Sequence, residues 1–475
     1  MKKILTVSAL AVTVLMLVIP FGTGANRSDF NYSANPIAIQ VSPNGMSPDG
    51  LPLCRSASLV NIVCYSPSFI RAAYHYPTSL DGSGQTIVIV DAFGSPTIAS
   101  DLSFFDVFFN IPAPPSFTIL CGNGSCPNIS TNFQNPTHDE FGWSIETSLD
   151  VEYAHAMAPG ANIVLDVASS SSGNAINDAE ATAIALYPGA IFSQSFGIPE
   201  IFLHANNGQV NQAMANYATG VGLGDTFFAS SGDTGATFGF TTPMSNFPSS
   251  DVHNTGVTGT QGFPYVHTGT LTPCPAMTIC SGGLSTYEGP CKLGRLVAPD
   301  CTPVDYGGEQ VWNEPQFGVA TGGAQSLIVG TPSYQSGLGL SSRGPDVDYN
   351  AAIDGGVLVA YDGAAFGISG HVFFIVGGTS AGSPQWAGIA ALANQRRAML
   401  SKGPIGDLNP TLYAIYHGTA PYTGSSYGND FHDIQIGNDQ LVGTPVGYAA
   451  TPGYDLASGI GSPIVDNLVS DIAAA

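Results

Sequence analysis

Residues 373–388 have the sequence Phe-Phe-Ile-Val-Gly-Gly-Thr-Ser-Ala-Gly-Ser-Pro-Gln-Trp-Ala-Gly. An apolar run is followed by two glycines and, after Pro384, by an Ala-rich stretch, which predicts a buried strand, a tight turn and a helix. A serine at the start of such a helix exposes its hydroxyl beside unpaired backbone N–H groups, which can stabilise a developing oxyanion. Ser380 is therefore a candidate nucleophile, although an ordinary N-cap serine has the same local pattern.

Upstream of this segment, apolar runs of strand length alternate with helix-like stretches. The predicted strands are Gly84–Asp91, Asn162–Val167, Ala190–Ser195 and Thr226–Ser230. The predicted helices are Ser66–Tyr74, Asp139–Met157, Ala175–Ala185 and Gln209–Ala218, and after the strand Phe373–Val376 comes Ser383–Met399. This alternation predicts an α/β fold with a mostly parallel sheet flanked by helices. No internal repeat or interdomain linker is visible, so we expect residues 61–475 to form one large domain.

The composition excludes one class of partner and indicates an acid environment. The 475 residues include 34 Asp and Glu against 11 Lys and Arg, a formal net charge of −23, which excludes electrostatic binding of nucleic acid. Charged residues make up only 9% of the chain, against about 25% in typical proteins. Near pH 4 most carboxylates approach their reference pKa values and the net charge falls toward zero. We interpret this as adaptation to acid; the alternative is simply an acidic secreted protein.

The N-terminus has the pattern of a secretory signal. Lys2 and Lys3 precede the apolar run Ile4–Pro20, and the small residues Thr23 and Ala25 follow it. Residues 1–25 are therefore predicted to be a signal peptide, and we expect a secreted protein without membrane association once the signal is removed. The apolar run is at the short limit for a membrane span, so an uncleaved anchor is the alternative. Residues 26–60 are rich in Pro, Ser and Asn and are interpreted as a short leader.

Eight cysteines are consistent with an oxidising compartment. Cys54 with Cys64, and Cys121 with Cys126, are natural local disulfide pairs. The remaining four lie in a Gly-, Pro- and Thr-rich insertion, residues 262–313, and allow three connectivities: Cys274, Cys280, Cys291 and Cys301. No Cys-x-x-Cys motif occurs, which argues against structural zinc.

A serine nucleophile needs a base, and the histidines offer none. Asp91, at the end of a predicted strand, could stand for the aspartate of subtilisin-like enzymes. However, no histidine downstream of it has the context found in those enzymes, and imidazole would be protonated in acid. A neutral, subtilisin-like protease is therefore the less favoured reading. Glu146 and Asp150 are four residues apart, which places both carboxyls on one helix face, where coupled carboxyls titrate apart. The alternative is a solvated helix face, which fits poorly with the apolar neighbours of the pair.

A third acid, Asp233, follows a predicted strand in the turn Ser231–Gly235. Ligand-binding groups of α/β sheets gather at such strand ends, although a turn aspartate that satisfies its own backbone is common.

Four motifs together give a resemblance. The chain resembles the sedolisin (serine-carboxyl peptidase) family, from about residue 67 to residue 463, with the motifs in the family's order. The motif Gly-Thr-Ser-x-x-x-Pro is matched by Gly378–Pro384, and Glu-x-x-x-Asp by Glu146–Asp150. Ser-Gly-Asp-x-Gly is matched by Ser231–Gly235, and Ser-x-Ser-aromatic-Gly by Ser193–Gly197.

The resemblance implies a subtilisin-like fold and a secreted endopeptidase that works in acid. Ser380 would be the nucleophile, Glu146 the general base, Asp150 its partner and Asp233 a protonated donor in the oxyanion hole. Substrate would contact the matched strand and turn at Ser193, Ser195, Gly197, Ser231 and Gly232. Protein or peptide substrates and a monomer are expected. The alternatives are a catalytically inactive binding or surface protein and a tripeptidyl-type exopeptidase of the same family.

The resemblance also implies one structural Ca²⁺ ion in residues 429–463. Its ligands would be the side chains of Asp433 and Asp455 with the backbone carbonyls of Ile434, Thr451 and Gly453, a set of hard oxygen ligands. Thr451 stands where the family usually has glycine, and two ordinary Asp/Gly turns are the alternative. Family members usually carry a long propeptide, whereas this leader is short. Inhibition by the leader, folding without a propeptide, and a separate propeptide chain are all left open.

Overall fold

The computed structural model describes residues 30–34, 36–40, 64–121, 126–127, 138–203, 207–262, 306–366, 369–422 and 426–475. The predicted signal peptide, much of the leader and the four clustered cysteines of the insertion lie outside these described residues.

The predicted helices are all present, with ends shifted by one to a few residues. The helices are α1 (Pro67–Ala73), α2 (Ile98–Phe109), α3 (His138–Met157), α4 (Gly173–Leu186), α5 (Gly208–Leu223), α6 (Gly382–Met399), α7 (Asn409–His417), α8 (Ser426–Asp430) and α9 (Val465–Ala474).

The predicted strands are present too, together with several short ones. The strands are β1 (Ile37–Gln40), β2 (Cys64–Tyr65), β3 (Thr86–Ala92), β4 (Phe117–Cys121), β5 (Asn162–Ala168), β6 (Ile191–Gln194), β7 (Ile198–Pro199), β8 (Thr226–Ser230), β9 (Asn246–Phe247), β10 (Asn254–Gly262), β11 (Glu309–Val311), β12 (Asn313–Glu314), β13 (Val319–Ala320), β14 (Val347–Asn350), β15 (Gly356–Asp362), β16 (His371–Gly377), β17 (Phe431–His432) and β18 (Ser462–Pro463).

The main sheet has the strand order β11-β10-β8-β6-β3-β5-β4, with β14 also paired to β10. All of its pairs are parallel except β10 with β11, which confirms the predicted mostly parallel sheet. Alternate residues of β3 enter different cores, as strand geometry requires. Ile87 and Ile89 pack in the core that contains residues of α3 and α6, and Val88 and Val90 pack with residues of α4 and α5. Helices therefore cover both faces.

The strand before Ser380 does not lie in this sheet. The alternation of strands and helices along the chain had led us to expect it there. Strand β16 lies in a second sheet, with the order β1-β16-β15-β2. Its partners β1 and β15 are both antiparallel to it. The connection from β15 to β16 is short, and a short connection can only join antiparallel neighbours.

Helices α3 and α6 cross in close contact. A Cβ added at Gly388 of α6 would lie 2.5 Å from the Cβ of Met157 in α3. Gly388 therefore permits the close approach of the two helices. The helix of Glu146 and Asp150, α3, thus lies against α6, which follows Ser380.

The predicted disulfide between Cys121 and Cys126 is present. Cys64 is also disulfide-bonded, and its predicted partner Cys54 lies outside the described residues. Within the part of the chain that the structure describes, we find no helix with the length and apolar character needed to span a membrane.

Candidate active site

Ser380 lies in a 3₁₀ turn, Thr379–Ala381, between β16 and α6. It is buried, and its hydroxyl lies 3.5 Å from the carbonyl oxygen of Ser195. The turn depends on Gly378, whose φ of +122° is unfavourable for other residues. A Cβ at Gly378 would also lie 2.8 Å from Oδ2 of Asp233. We call Thr379–Ala381, which carries the candidate nucleophile Ser380, the nucleophile turn. Gly378 thus allows this turn and Asp233 to lie side by side.

Helix α3 brings Glu146 and Asp150 to the same place. Both side chains are fully buried and one helical turn apart. The Ser195 hydroxyl donates to Oδ1 of Asp150 at 2.8 Å, and it lies 3.1 Å from the carbonyl oxygen of Ser380. Ser195 therefore links the carboxyl pair to the nucleophile turn.

The Glu146 carboxyl has no close hydrogen-bond partner among the described residues. Neither of its oxygens accepts a hydrogen bond of normal length from them. Burial raises its pKa well above the ordinary value, and the nearby charge of Asp91 raises it further. A longer interaction with the Ser380 hydroxyl acts in the opposite direction, and the charge of Asp233 adds to the increase in the pKa. Glu146 is thus in electrostatic contact with both Ser380 and Asp233.

Asp91, which the sequence offered only as the aspartate of a less favoured subtilisin-like site, also belongs to this group of carboxyls. It lies at the end of β3, is fully buried, and both of its carboxyl oxygens lack a hydrogen-bond partner within the described residues. Burial raises its pKa well above the ordinary value, and the Thr147 side chain acts against this. Its charge raises the pKa of both Glu146 and Asp150. The site therefore holds a buried group of three carboxyls beside Ser380.

Asp233 lies beside Gly378 and Thr379 and is partly exposed. Its Oδ1 accepts hydrogen bonds from the Thr379 backbone N–H and from the Thr379 hydroxyl, both at 2.8 Å. Desolvation raises its pKa to about 6, and the two hydrogen bonds from Thr379 oppose that increase. Because Oδ1 is used as an acceptor, Oδ2 is the atom that can carry a proton and donate it to a ligand.

The predicted substrate-binding residues have different environments. Ser193 is fully buried, and its hydroxyl lies 2.9 Å from the Ser383 hydroxyl, so it has no exposed edge. Ser231 donates its hydroxyl to the Gly322 carbonyl at 2.8 Å, and the Gly232 N–H donates to the Thr379 hydroxyl at 3.0 Å. Of the two remaining residues, Ser195 bonds to Asp150, and Gly197 pairs through its backbone with Ser33.

The predicted calcium ligands lie on adjoining loops. The Asp433 carboxyl accepts from the Gly453 N–H at 3.0 and 3.1 Å, and the Asp455 carboxyl accepts from the Thr451 N–H at 2.8 Å. Ile434 is buried in a small core with Ala457, behind these loops. Among the described residues no three or more His, Cys, Asp or Glu side chains are grouped to hold a metal ion. Two carboxylates with backbone carbonyls still match the oxygen ligands that Ca²⁺ prefers, so the donor set fits this ion.

Comparisons with known proteins identify relatives of the chain. The chain is 30% identical to kumamolisin from Bacillus sp. (strain MN-32) over 415 residues, which cover 84% of this chain and 62% of kumamolisin. It is 26% identical to xanthomonalisin from Xanthomonas sp. (strain T-22), over 82% of this chain and 44% of that protein. The chain thus spans less than two thirds of the length of either relative. No family model matches it.

Among solved structures, the chain is similar to Pseudomonas sedolisin, a serine-carboxyl proteinase solved in complex with two molecules of pseudo-iodotyrostatin. The TM-score is 0.64, and the match covers 87% of this chain and 99% of that one at 22% identity. At this identity the likeness supports the fold. Together with the kumamolisin match and the ordered motifs around Ser380, it shows that the chain is similar to members of the sedolisin family and has a subtilisin-like fold.

Proposed function

We propose that the chain is a serine-carboxyl peptidase that is secreted and hydrolyses peptide bonds in acid. The observation that carries the proposal is the group of buried carboxyls beside Ser380, in which Glu146 has no competing hydrogen-bond partner of normal length in the part of the chain that the structure describes. The relatives support the peptidase class, and the signal-like N-terminus supports secretion.

In the proposed mechanism, Oγ of Ser380 attacks the scissile carbonyl carbon while the Glu146 carboxylate accepts the hydroxyl proton. The tetrahedral intermediate collapses to an ester on Ser380 as Glu146 returns the proton to the leaving amine. Water then attacks the ester, with Glu146 again as the base. Asp150, held by Ser195, orients Glu146 and shares its proton.

Asp233 would stabilise the oxyanion as a neutral acid. Its proton on Oδ2 would be donated to the oxygen that gains negative charge, because Oδ1 already accepts two hydrogen bonds from Thr379. An ionised Asp233 would repel that oxygen. Since its pKa is raised to about 6, activity should fall as pH rises through about 6.

The general base, Glu146, has the opposite requirement, because it must be ionised to accept a proton whereas Asp233 must be protonated to donate one. Burial and mutual charge raise the pKa values of Glu146, Asp150 and Asp91, so these carboxyls hold their protons to higher pH than ordinary ones. Only one ionisation within the group is needed for Glu146 to accept a proton. The low-pH limb of activity therefore reports the first ionisation of this group, and the high-pH limb reports Asp233.

The test is hydrolysis of casein or haemoglobin from pH 2 to pH 8 by the native chain and by Ser380→Ala. We expect a maximum in acid that Ser380→Ala abolishes while the melting temperature is retained. An alkaline maximum would contradict the carboxyl mechanism. Absence of hydrolysis in the native chain at every pH would favour an inactive binding protein.

We further propose that one Ca²⁺ ion stabilises the loops of Asp433 and Asp455, with the carbonyls of Ile434, Thr451 and Gly453. Saturation at 100 times Kd stabilises a folded protein by about 2.7 kcal/mol, so a chelator should lower the melting temperature by several degrees. Asp433→Asn should remove this response, whereas the exposed control Asp178→Asn should keep it. A melting temperature of the native chain that is indifferent to chelator would rule the ion out.

A further inference from the structure

Four large apolar side chains at the C-terminal ends of three helices are exposed to solvent. Leu186 ends α4, Leu223 ends α5, and Met399 ends α6 with Leu400 directly after it. Met399 is 70% exposed, and Leu186, Leu400 and Leu223 are 56%, 55% and 47% exposed. Single exposed apolar residues are normal, whereas a group of them indicates a surface that binds something.

The loop after α6 brings these three helix ends together. The Ile405 N–H donates to Oδ1 of Asn394 at 2.9 Å, which folds the loop back along α6. Pro404 then lies against the residues that follow the other two helices. A Cβ added at Gly189 or Gly224 would lie 3.4 or 2.7 Å from Cγ of Pro404. We call the surface formed here the basal face, and its residues are Leu186, Leu223, Met399, Leu400 and Pro404 with Arg396 and Arg397.

The basal face is positively charged in a chain that is strongly acidic overall. The chain has 34 Asp and Glu against 11 Lys and Arg. Only five of these cations lie in the described residues, and three of the five belong to the last turn of α6 and its loop: Arg396, Arg397 and Lys402. No Asp or Glu occurs in the segments that form the face, which are residues 181–190, 218–224 and 396–406. Cationic and apolar side chains are therefore concentrated in the same place.

Arg396 is the cation best placed to meet a ligand. It precedes Met399 and Leu400 by three and four residues, a spacing that places the three side chains on one side of the helix end. Its guanidinium has no hydrogen bond or ion pair within the described part of the chain.

The other two cations support the loop. Arg397 donates to the Gly403 carbonyl at 2.7 Å and to the Ile472 carbonyl at 3.1 Å. Both acceptors are neutral, so they leave the positive charge of Arg397 in place. Lys402 donates to carbonyl oxygens in the last turn of α9, among them that of Ala473 at 3.1 Å. The loop is thus fixed to the body of the protein by its own cations.

The carboxyls nearest these cations lie behind the face or beside it. Asp225 is buried behind Gly189, whose N–H donates to it at 2.6 Å, and burial raises the pKa of Asp225 to about 7. Asp407 lies 3.1 Å from Nδ1 of His253. Asp81 bonds to Gln395 at 3.0 Å, and Asp430 and Asp471 lie near Tyr422 on the side of α9.

The basal face lies at the opposite end of the main sheet from Ser380. Strands β6 and β8 begin close to Gly189 and Gly224 and lead toward Ser195 and Asp233. Helix α6 begins two residues after Ser380, and its 18 residues span about 27 Å before it reaches the face. A partner on the basal face would therefore leave the candidate active site open.

We propose that the basal face binds the anionic surface of a lipid membrane in acid, with Ser380 turned toward the solvent on the far side of the molecule. Apolar side chains at the helix ends enter the boundary between headgroups and acyl chains, while the arginines meet the lipid phosphates. The proposal goes beyond the proposed peptidase function and does not depend on it.

Acid is required because of the charge of the rest of the chain. At pH 7 the formal net charge of −23 repels an anionic surface. The carboxylates become protonated toward the isoelectric point of about 4.3, whereas arginine stays charged. The repulsion then disappears and the attraction of the basal face remains. Binding should therefore be strong near pH 4 and weak at pH 7.

The first test is co-sedimentation with lipid vesicles of the native chain without the predicted signal peptide, residues 1–25, which would itself bind lipid. Vesicles of phosphatidylglycerol with phosphatidylcholine supply the negative charge, and phosphatidylcholine alone is the neutral control. At pH 4 we expect binding to the anionic vesicles, weakened by salt, and binding to the neutral vesicles at least about tenfold weaker. No binding to the anionic vesicles, or equal binding to both, would overturn the proposal.

Paired variants locate the binding surface. Arg396→Gln should weaken binding about fivefold, whereas Arg396→Lys keeps the charge and should bind like the native chain. Met399→Ser combined with Leu400→Ser should weaken binding about tenfold or more. The control Val107→Ser, in α2 and outside the basal face, removes an apolar side chain that is 81% exposed and should have no effect. Melting temperatures verify the fold of each variant. Native affinity in both Arg396→Gln and the double serine variant would refute the assignment.

A second copy of the chain is the competing occupant of the basal face. Sedimentation equilibrium at pH 4 without lipid tests it. A dimer that Met399→Ser with Leu400→Ser dissociates, together with no binding to vesicles, would assign the face to a second copy and overturn the membrane proposal.

Hydrolysis of a short soluble peptide with and without anionic vesicles tests the orientation. The rate should be unchanged when the native chain is bound, because Ser380 lies away from the membrane. Strong inhibition by bound vesicles would refute the orientation. Vesicle binding with no hydrolysis under any condition would contradict the peptidase and support the membrane site.

Discussion

At the scale of single residues, the contacts of Asp233 with Thr379 explain how a carboxyl could donate a hydrogen bond to an oxyanion. Other enzymes use an amide side chain for this purpose. Both Thr379 donors converge on Oδ1, at 2.8 Å each, which leaves Oδ2 beside Gly378 as the site of the proton. A neutral Asp233 presents one acceptor and one donor in the same arrangement as an asparagine side chain. The difference is that an asparagine does not lose its donor as pH rises.

We therefore expect Asp233→Ala and Asp233→Asn to behave differently. Asp233→Ala should lower kcat by about 10²–10³, the usual effect of losing an oxyanion donor. Asp233→Asn should retain more activity and should lose the decline through about pH 6, because its donor does not titrate. Full pH profiles of kcat and KM decide this. If activity of Asp233→Asn still declined through about pH 6, another group would be responsible for the loss of activity at high pH.

The motifs made Ser380, Glu146, Asp150 and Asp233 predictable as candidates, because each has a local signature in the chain. Asp91 has none. Its contact with α3 depends on the order of strands in the sheet and on helix packing, neither of which a strand-end aspartate encodes. The deep burial of Ser193 was missed for the same reason: its motif gives the strand but not which edge of that strand is covered by Ser383.

At the scale of elements, the site depends on the contact between α3 and α6. One helix carries the carboxyl pair, and the other begins directly after the nucleophile turn. Their separation is set by Gly388 against Met157, where even one methyl group has no room. Alignment of the proposed base Glu146 with the proposed nucleophile Ser380 therefore depends on helix packing about two helical turns away from Ser380.

Gly388→Ala should push the two helices apart. We expect a loss of about 1–3 kcal/mol in the free energy of unfolding, typical of an overpacked core. We also expect a fall in kcat of about tenfold or more, since small displacements of reacting groups are costly. The matched control is Gly222→Ala in α5, where an added Cβ meets nothing within 4 Å. Unfolding and kinetics of both variants decide it, and equal behaviour would refute the packing argument.

Most elements were predictable from apolar runs and caps, because each run is local. The sheet to which each apolar run belongs could not be predicted. Residues 373–376 have the same apolar character as the strands of the main sheet, yet they pair antiparallel with β15 and β1. β15 itself was not predicted, and without it the antiparallel hairpin could not be anticipated.

At the scale of the whole molecule, carboxyls are buried in many places along the described part of the chain. Burial raises the pKa of Asp101, Asp166 and Glu314 to about 7 and that of Asp251 to about 6. Each of these groups binds its proton more tightly in the folded than in the unfolded chain. Their stabilising contribution is complete below pH 4 and is lost as pH rises toward 7, so the fold should be most stable in acid.

The variant Asp166→Asn tests whether a buried carboxyl makes the stability of the fold depend on pH. Asp166 lies in β5, fully buried, with both carboxyl oxygens lacking a hydrogen bond among the described residues. Its ionisation opposes folding by up to about 1.4 kcal/mol per pH unit between pH 4 and 7. The stability of Asp166→Asn relative to the native chain should therefore increase with pH. Melting curves at pH 4, 5, 6 and 7 measure this. The exposed control Asp178→Asn should show no such trend, and a parallel pH dependence of Asp166→Asn and native chain would refute it.

The position of β1 at the outer edge of the second sheet has a further consequence for handling the protein. If β1 (Ile37–Gln40) detaches, β16 becomes the border strand, and backbone donors and acceptors along residues 374–377 lose their partners. Unprotected strand borders readily recruit another chain. With so few surface charges to keep molecules apart, a preparation in which β1 is detached should self-associate at high concentration, and small peptides that cap this border should keep it soluble.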